Sequence, residues 1–335
     1  MKPGCDFCPR RCAVARPAGE LGLCGCPWLP RVAHVSLHHW EEPCLSGSRG
    51  SGTVFFGGCN LSCVFCQNHA ISARPVGKAC TPVELAEVFL GQQRIRAHNV
   101  NLVSPTQYSG PIADALRLAR SRGLSVPVVY NSNGYETVEA LARLEGLVDV
   151  FLPDLKYHDD RLARRYSGAP GYFTAATAAV KEMYRQVGEP VFDTDGLMVR
   201  GVLVRHLVLP GWTTNSRAVL RWLARELPGV RLSLMAQYTP VYRAQDYPEL
   251  RRRVDPAEYE GLLDLCDELG LDQGYRQEPG AATEAYIPPF DTGVPSETEG
   301  TSDAGTPSGT MGPSDTGALS DTGAPTGLGS KGEKG

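Results

Sequence analysis

The chain has 335 residues, of which 42 % are hydrophobic, a fraction typical of a globular protein. Its 33 basic and 37 acidic residues leave a formal net charge of -4, which gives no electrostatic reason to expect nucleic acid as a partner. The most apolar stretch, residues 201–212, contains Arg205 and His206 and is too short and too charged to span a bilayer. No apolar segment follows the basic residues of the N-terminus, so we expect a cytoplasmic protein with no membrane partner.

The cysteines are concentrated at the start of the chain, since ten of the eleven lie within the first 80 residues. In a reducing compartment such clusters indicate metal binding or catalysis before disulfides. Residues 1–50 show little periodicity. We expect a small metal-binding extension, because so short a segment buries too little apolar surface to fold without a bound metal or another cross-link. The candidate ligands are Cys5, Cys8, Cys12 and Cys24, with Cys26 as a substitute for Cys24. Four thiolates permit zinc or an iron–sulfur cluster.

From residue 51 onward, short apolar runs alternate with segments of helical periodicity. The predicted strands cover residues 53–56, 100–103, 126–130, 148–152, 202–209 and 232–235. The predicted helices cover residues 82–96, 111–122, 137–145, 173–186, 215–226 and 256–269, and Thr81 with Glu84 forms a capping box before the first.

Six strand–helix repeats predict an α/β fold with a parallel sheet, in a partial, TIM-like (β/α)6 barrel over residues 51–290. A doubly wound open sheet is the alternative, because periodicity alone does not close a barrel. Residues 291–335 consist mainly of Gly, Ser, Thr, Pro, Asp and Ala, which predicts a disordered, low-complexity tail without a catalytic role.

Three cysteines in the spacing C-x3-C-x2-C, namely Cys59, Cys63 and Cys66, follow the first predicted strand directly. A structural zinc site and a ferredoxin cubane each need four ligands, whereas this loop supplies three, with His69 the nearest further candidate. A [4Fe-4S] cluster held by three thiolates leaves one iron open, as a catalytic cluster requires. The loop lies at the carboxyl end of the predicted sheet, where active sites of β/α barrels gather. A structural zinc knuckle is the alternative.

The loop resembles the signature of the radical S-adenosylmethionine (SAM) superfamily, C-x3-C-x-aromatic-C, with Phe65 as the aromatic residue. Stretches 51–56, 130–135, 152–157, 205–211 and 233–238 are similar to the PflX-type branch, related to pyruvate formate-lyase activating enzymes, and the resemblance covers residues 1–293. It implies that SAM chelates the open iron and that its reductive cleavage gives a 5′-deoxyadenosyl radical. In activating enzymes this radical abstracts hydrogen from a glycine of a partner glycyl radical enzyme. It also implies an oxidoreductase with a reductant such as flavodoxin or ferredoxin.

The resemblance also indicates which residues contact SAM. Residues 104–106 replace the usual Gly-Gly-Glu turn, and Asn131 with Ser132 replaces an Asp-Thr pair that holds a cation in activating enzymes. Asp154 and Lys156 share one face of a strand end, and the alternative to SAM contact for them is a plain ion pair. For His206 the alternative to SAM contact is a hydrogen-bonded core histidine. The predicted SAM-contacting residues are Phe65, Ser104, Thr106, Asn131, Ser132, Asp154, Lys156 and His206.

Three functions are compatible with these features. The first is an activase for a protein glycine, and the second is a radical SAM enzyme for a small molecule or peptide. The third is a non-enzymatic iron–sulfur or zinc protein, which the β/α repeat behind the cysteine loop disfavours. Only Cys80 and Cys266 follow the loop, which disfavours a peptide-modifying enzyme with a C-terminal cysteine-rich domain. No catalytic side chain is predicted, because the adenosyl radical abstracts the hydrogen.

Overall fold

Seven parallel strands form the centre of the computed structural model, which describes residues 4–277 and 290. The strands are β1 (Arg31–His38), β2 (Ser51–Phe56), β3 (Lys78–Ala79), β4 (Val100–Val103), β5 (Val128–Ser132), β6 (Val150–Pro153), β7 (Val191–Phe192), β8 (Met198–Leu207), β9 (Arg231–Met235) and β10 (Gly274–Arg276). The helices are α1 (Pro43–Ser46), α2 (His69–Ser72), α3 (Pro82–Arg94), α4 (Ser109–Ser121), α5 (Val138–Ala142), α6 (Asp160–Ser167), α7 (Tyr172–Val187), α8 (Thr213–Glu226) and α9 (Pro256–Glu268).

The strand order β10-β9-β8-β6-β5-β4-β2-β1-β3 defines the sheet, with β7 paired to β8. Strands β2, β4, β5, β6, β8, β9 and β10 run parallel to one another, whereas β1 is antiparallel to β2 and β7 is antiparallel to β8. No ladder joins the two outer strands, β10 and β3, among the described residues. The predicted α/β partial barrel is thus confirmed, and β10 adds a short parallel strand that the sequence pattern did not indicate.

Local sequence explains why these elements form. Strands β2, β4, β5 and β6 are buried along their whole length, as strands covered on both faces must be, and most of their side chains are Val, Leu, Phe or Tyr. Helix α3 begins at the predicted capping box: the Glu84 N–H donates to Thr81 Oγ1 (3.3 Å), and the Thr81 N–H donates to Glu84 Oε2 (2.9 Å). Among the described residues, no helix has the length and apolarity needed to cross a membrane.

The N-terminal residues contribute to the sheet as well as to the extension. Strand β1, which the sequence analysis assigned to the extension, pairs with β2 over six residues and with β3. The segment before β1 packs on the barrel: Arg10 donates to the carbonyl of Gly168 (2.7 Å), and Asp6 pairs with Arg143 (2.6 Å). The described residues form one compact unit, and the predicted tail from residue 291 lies outside them.

Candidate cluster and cofactor site

A cavity of about 240 Å³ opens at the carboxyl ends of the parallel strands. All three cysteines of the loop after β2, Cys59, Cys63 and Cys66, line this cavity. The neighbouring strand ends supply polar and charged groups, so one chamber combines thiols with hydrogen-bonding side chains. Six of the predicted SAM-contacting residues line it: Phe65, Ser104, Asn131, Ser132, Asp154 and Lys156.

Each of the three sulfurs has a polar neighbour. The Leu61 N–H and the Asn133 side-chain amide both donate to Cys59 Sγ, each at 3.4 Å. The Ser167 hydroxyl lies 3.0 Å from Cys63 Sγ, and hydrogen bonds to ligand sulfurs tune the potential of an iron–sulfur cluster.

The third sulfur, Cys66 Sγ, lies 3.2 Å from the Ser72 hydroxyl. Burial raises the pKa of Cys66 to about 11 and that of Cys59 to about 12, so the free thiols are neutral at pH 7. A bound metal deprotonates a coordinating thiol outright. In the described part of the chain, no three Cys, His, Asp or Glu side chains meet as ligands of one ion. A cubane binds each thiolate at a different iron, so this donor set fits a [4Fe-4S] cluster.

The backbone of the loop depends on Gly58. Its φ of +80° favours glycine, and a Cβ at this position would lie 2.4 Å from the buried Cys26 sulfur. The Gly58 N–H donates to the carbonyl of Ile71 (2.8 Å), and the Gly58 carbonyl accepts from the Gln107 side chain (2.9 Å). These contacts hold the start of the cysteine loop against α2 and the turn after β4.

Arg205 connects the charged groups of the cavity. From β8 it donates to Asp154 Oδ1 (3.1 Å) and Asn131 Oδ1 (2.7 Å), and its guanidinium lies 3.5 Å from Glu41 Oε2. Lys156 Nζ lies 2.5 Å from Asp154 Oδ2. Two cations and two carboxylates therefore alternate across the chamber. Sequence reasoning missed Arg205 and Glu41 as site residues, although alternation along β8 could have indicated an inward-facing Arg205.

The ion pair between Asp154 and Lys156 keeps both groups charged. Burial would raise the pKa of Asp154, but the charges of Lys156 and Arg205 outweigh it and hold the pKa below its usual range. Burial would lower the pKa of Lys156, and the Asp154 carboxylate instead raises it. The chamber thus presents one carboxylate and one ammonium beside the cysteine loop.

The structure places His206 away from the cavity. Its ring is fully buried, with Nδ1 2.6 Å from the Leu155 carbonyl and Nε2 2.8 Å from the Ser216 hydroxyl. Burial lowers its pKa to about 4, so the imidazole is neutral. Arg205 and Leu207 on either side line the cavity, and alternation along the strand turns His206 outward. His206 is therefore a hydrogen-bonded core histidine, the alternative that the sequence left open.

Two further predicted positions lie outside the lining of this cavity. Thr106 is buried in a one-turn helix after β4, whereas Ser104, with φ +57°, lines the cavity. His69 stacks on Tyr242 at a centroid distance of 4.8 Å, and its Nδ1 lies 3.1 Å from the Cys66 carbonyl oxygen. His69 therefore does not join the three cysteines in the lining.

A second, smaller cavity lies in the N-terminal extension. The four predicted ligands, Cys5, Cys8, Cys12 and Cys24, all line it, whereas the buried Cys26 thiol lies 3.4 Å from the Cys24 carbonyl oxygen and outside the lining. Asn60 also lines this cavity, and its Oδ1 accepts a hydrogen bond from Asn133 Nδ2 (2.7 Å). Asn133 also donates to Cys59, so the side chains of Asn60 and Asn133 lie between the cysteines of the extension and those of the loop after β2.

Residues 53–223, just over half of the chain, match the family model of the radical SAM superfamily. Together with the parallel partial barrel and the three-cysteine loop, this match shows that the chain belongs to the radical SAM superfamily. Enzymes of this superfamily use a [4Fe-4S] cluster and SAM for radical chemistry and need an electron donor.

Two proteins of known sequence or structure illustrate the likeness. The uncharacterized protein MJ0674 of Methanocaldococcus jannaschii is 32 % identical over 285 residues, which are 81 % of this chain and 76 % of the relative. The SAM-bound structure of Streptococcus suis SuiB matches with a TM-score of 0.46 and 14 % identity, over 66 % of this chain and 48 % of SuiB. The chain thus spans about half the length of SuiB.

Proposed function

We propose that Cys59, Cys63 and Cys66 hold a [4Fe-4S] cluster at which this protein cleaves SAM. The observation that carries this proposal is the position of all three thiols in one cavity with the charged pair Asp154 and Lys156. When bound, the cluster supplies the electron that splits SAM into methionine and a 5′-deoxyadenosyl radical.

The side chains of the cavity suit the polar parts of SAM. Asp154 and Lys156 complement the amino and carboxylate groups of the methionyl part, because charge-assisted hydrogen bonds are the strongest available. Asn131 and Ser132 at the end of β5 offer neutral groups to the methionyl part or the ribose. Phe65 packs edge-on against Tyr238 with ring centroids 5.8 Å apart, which gives the chamber an apolar wall that excludes water.

We propose a protein glycine as the hydrogen donor, as in the PflX-type branch, which makes the protein an oxidoreductase with activase function. The activating-enzyme-like stretches support this, because they include the cavity residues Asn131, Asp154 and Arg205. A small molecule or a peptide is the alternative substrate. No disulfide joins any of the eleven cysteines, all of which lie among the described residues, and we propose the cytoplasmic location expected from the sequence.

The cluster is tested by replacing Cys59, Cys63 and Cys66 together with Ala in anaerobically reconstituted protein. We expect loss of the barrel cluster and of all SAM cleavage, with Cys266→Ala, a buried thiol on α9, as the matched control. Reduced wild type should yield 5′-deoxyadenosine and methionine. Iron retention with unchanged cleavage in the triple variant contradicts the ligand assignment. Methylthioadenosine or S-adenosylhomocysteine as the only product contradicts radical chemistry.

The substrate is tested with a glycyl radical enzyme, where one is encoded beside this gene. Incubation with reduced protein, SAM and flavodoxin or ferredoxin should give a glycyl radical signal in electron paramagnetic resonance. Normal SAM cleavage without that signal favours the small-molecule alternative. Absence of SAM cleavage under all reductants favours a non-enzymatic protein.

We also propose that Cys5, Cys8, Cys12 and Cys24 bind a second metal, zinc or an iron–sulfur cluster, because all four line one cavity, and that their thiols converge only when the metal binds. Their joint replacement by Ser should remove one metal equivalent, and elemental analysis identifies it as zinc or iron. SAM binding to the barrel should persist. Cys80→Ser, at a buried cysteine outside this cavity, is the control. Unchanged metal content would show that the four thiols are free.

A further inference from the structure

A second chamber adjoins the SAM cavity inside the barrel. It measures about 210 Å³ and lies between the segment that connects β1 to α1 and the strands β9 and β10. Both chambers share the lining residues Trp40, Glu41, Arg205, Met235 and Gln237, so they are contiguous. Its position next to the cavity assigned to SAM makes it a place for the group from which hydrogen is abstracted.

Glu42 projects into this second chamber with an unsatisfied oxygen. Glu42 is only 8 % exposed, and among the residues that the structure describes its Oε2 has no hydrogen-bond partner. The backbone is fixed, since the Glu42 carbonyl accepts from the N–H groups of Leu45 (2.7 Å) and Ser46 (3.1 Å) at the start of α1. The Ser233 side chain also hydrogen-bonds the Glu42 carboxylate and lowers its pKa, which leaves Oε2 as the oxygen open to a ligand.

A second acceptor faces the same chamber. Gln277, which follows β10, donates through Nε2 to Gln237 Oε1 (3.2 Å), but its own Oε1 is buried and has no partner within the described part of the chain. A buried acceptor without a donor costs free energy comparable to a lost hydrogen bond, and the cost is larger for a carboxylate. Two such acceptors on one chamber indicate a ligand that brings hydrogen-bond donors.

The cations that line the chamber are already engaged. Arg205 binds Asp154, Asn131 and Glu41, and Arg276 pairs with Asp267. Burial raises the pKa of Glu42, only partly offset by the charge of Arg205. A cationic donor beside Glu42 restores the ionised carboxylate.

We propose that this second chamber binds an ammonium or guanidinium group of the substrate, with Glu42 as its acceptor and Gln277 as a second one. The inference rests on the proposed radical SAM function, which places the radical in the adjoining cavity. Radical attack then falls on a carbon within one chamber length of a cationic nitrogen. A free amine and a basic side chain of a peptide share this chemistry.

The test measures binding without turnover, on the full chain reconstituted with its cluster and SAM. Butylammonium and butylguanidinium are titrated by saturation-transfer nuclear magnetic resonance, with 1-butanol as the neutral probe. We expect the cations to bind and Glu42→Gln, which keeps shape but removes charge, to weaken them about tenfold or more. The affinity for 1-butanol should stay unchanged. Glu260→Gln, an exposed change on α9, is the control and should alter neither.

A second variant covers the case in which Glu42→Gln does not fold. Gln277→Met removes the other acceptor and should weaken the cations by a smaller factor. Acetyl-Gly-Lys-amide distinguishes the sources, since tighter binding than butylammonium assigns the group to a peptide and weaker binding to a free amine. Equal binding of cations and 1-butanol, or unchanged binding in both variants, overturns the proposal and leaves water as the partner of Glu42. Failure of SAM cleavage alone contradicts only the proposed function.

Discussion

Glu136 provides a sharp test of how burial controls charge behind the site. The residue follows β5, is 3 % exposed, and accepts hydrogen bonds from the Tyr130 hydroxyl (2.8 Å) and the Ser132 hydroxyl (3.1 Å). Burial raises its pKa from 4.5 to about 7, because the hydrogen bonds only partly offset the loss of hydration. Replacing Glu136 with Gln removes this titration and keeps the shape.

The sign of the effect follows from proton counting. Between pH 4.5 and about 7 the folded protein keeps a proton on Glu136 that the unfolded chain releases, so stability falls as pH rises through this window. Each pKa unit corresponds to about 1.4 kcal/mol, so the contribution of Glu136 falls by about 3 kcal/mol across the window. Below the window and above it, the contribution is constant. The Glu136→Gln variant lacks this pH-dependent contribution to stability.

The free energy of unfolding of wild type and Glu136→Gln is measured in urea, under anaerobic conditions, from pH 5 to pH 8. We expect the variant to gain about 2.5 kcal/mol relative to wild type over this range. The exposed Glu260→Gln should run parallel to wild type. Parallel curves for Glu136→Gln would mean that Glu136 titrates alike in the folded and unfolded states, which would refute the reasoning from burial.

Three further predictions follow from the geometry. Gly58→Ala should lose about 1–3 kcal/mol of stability by calorimetry, because its Cβ would lie 2.4 Å from a buried sulfur. Gly123→Ala, with φ +97° and no described atom within 4 Å of the added Cβ, should lose less, and equal losses would contradict the steric argument. Asp154→Ala should weaken SAM binding about tenfold or more without loss of iron, as measured by equilibrium dialysis, and iron loss would count against its assigned role. A chain ending at Gly293 should keep its melting temperature, whereas Phe290→Ala, which loses an edge-on contact with a strand phenylalanine at 5.3 Å, should lower it. A clear drop for the truncation would show that the tail docks.

The sequence predicted the parts of the fold that depend on local pattern. All six predicted strands and all six predicted helices exist, with ends displaced by a few residues, because buried strands and amphipathic helices have distinct periods. The three cysteines and Asp154 were placed at the mouth because carboxyl ends of parallel strands share one edge of the sheet. For such residues, knowing the element is enough to know the location.

The missed elements depend on contacts distant in the chain. Burial alternates along strand β1 only in its second half, so its residues give a weak strand signal. The strand forms because it pairs with β2. Short strands such as β10 carry no periodicity to detect. Glu41 enters the site from a loop before α1 and meets Arg205, 164 positions away, so no local pattern indicates their pairing.

The charges inside the barrel explain why the site is built around Arg205. Buried ions lose hydration, and a pair repays that cost only with good geometry and further hydrogen bonds, so such a network is weak evidence for stability. Here Arg205 contacts side chains of three separate segments: Glu41 before α1, Asn131 on β5 and Asp154 after β6. A hydrophobic residue in its place would fill the space but leave Asp154 and Glu41 without its charge. The network is therefore best understood as fixing the orientation of Asp154 and Lys156 toward the cysteine loop, at a cost in folding free energy that packing elsewhere in the barrel offsets.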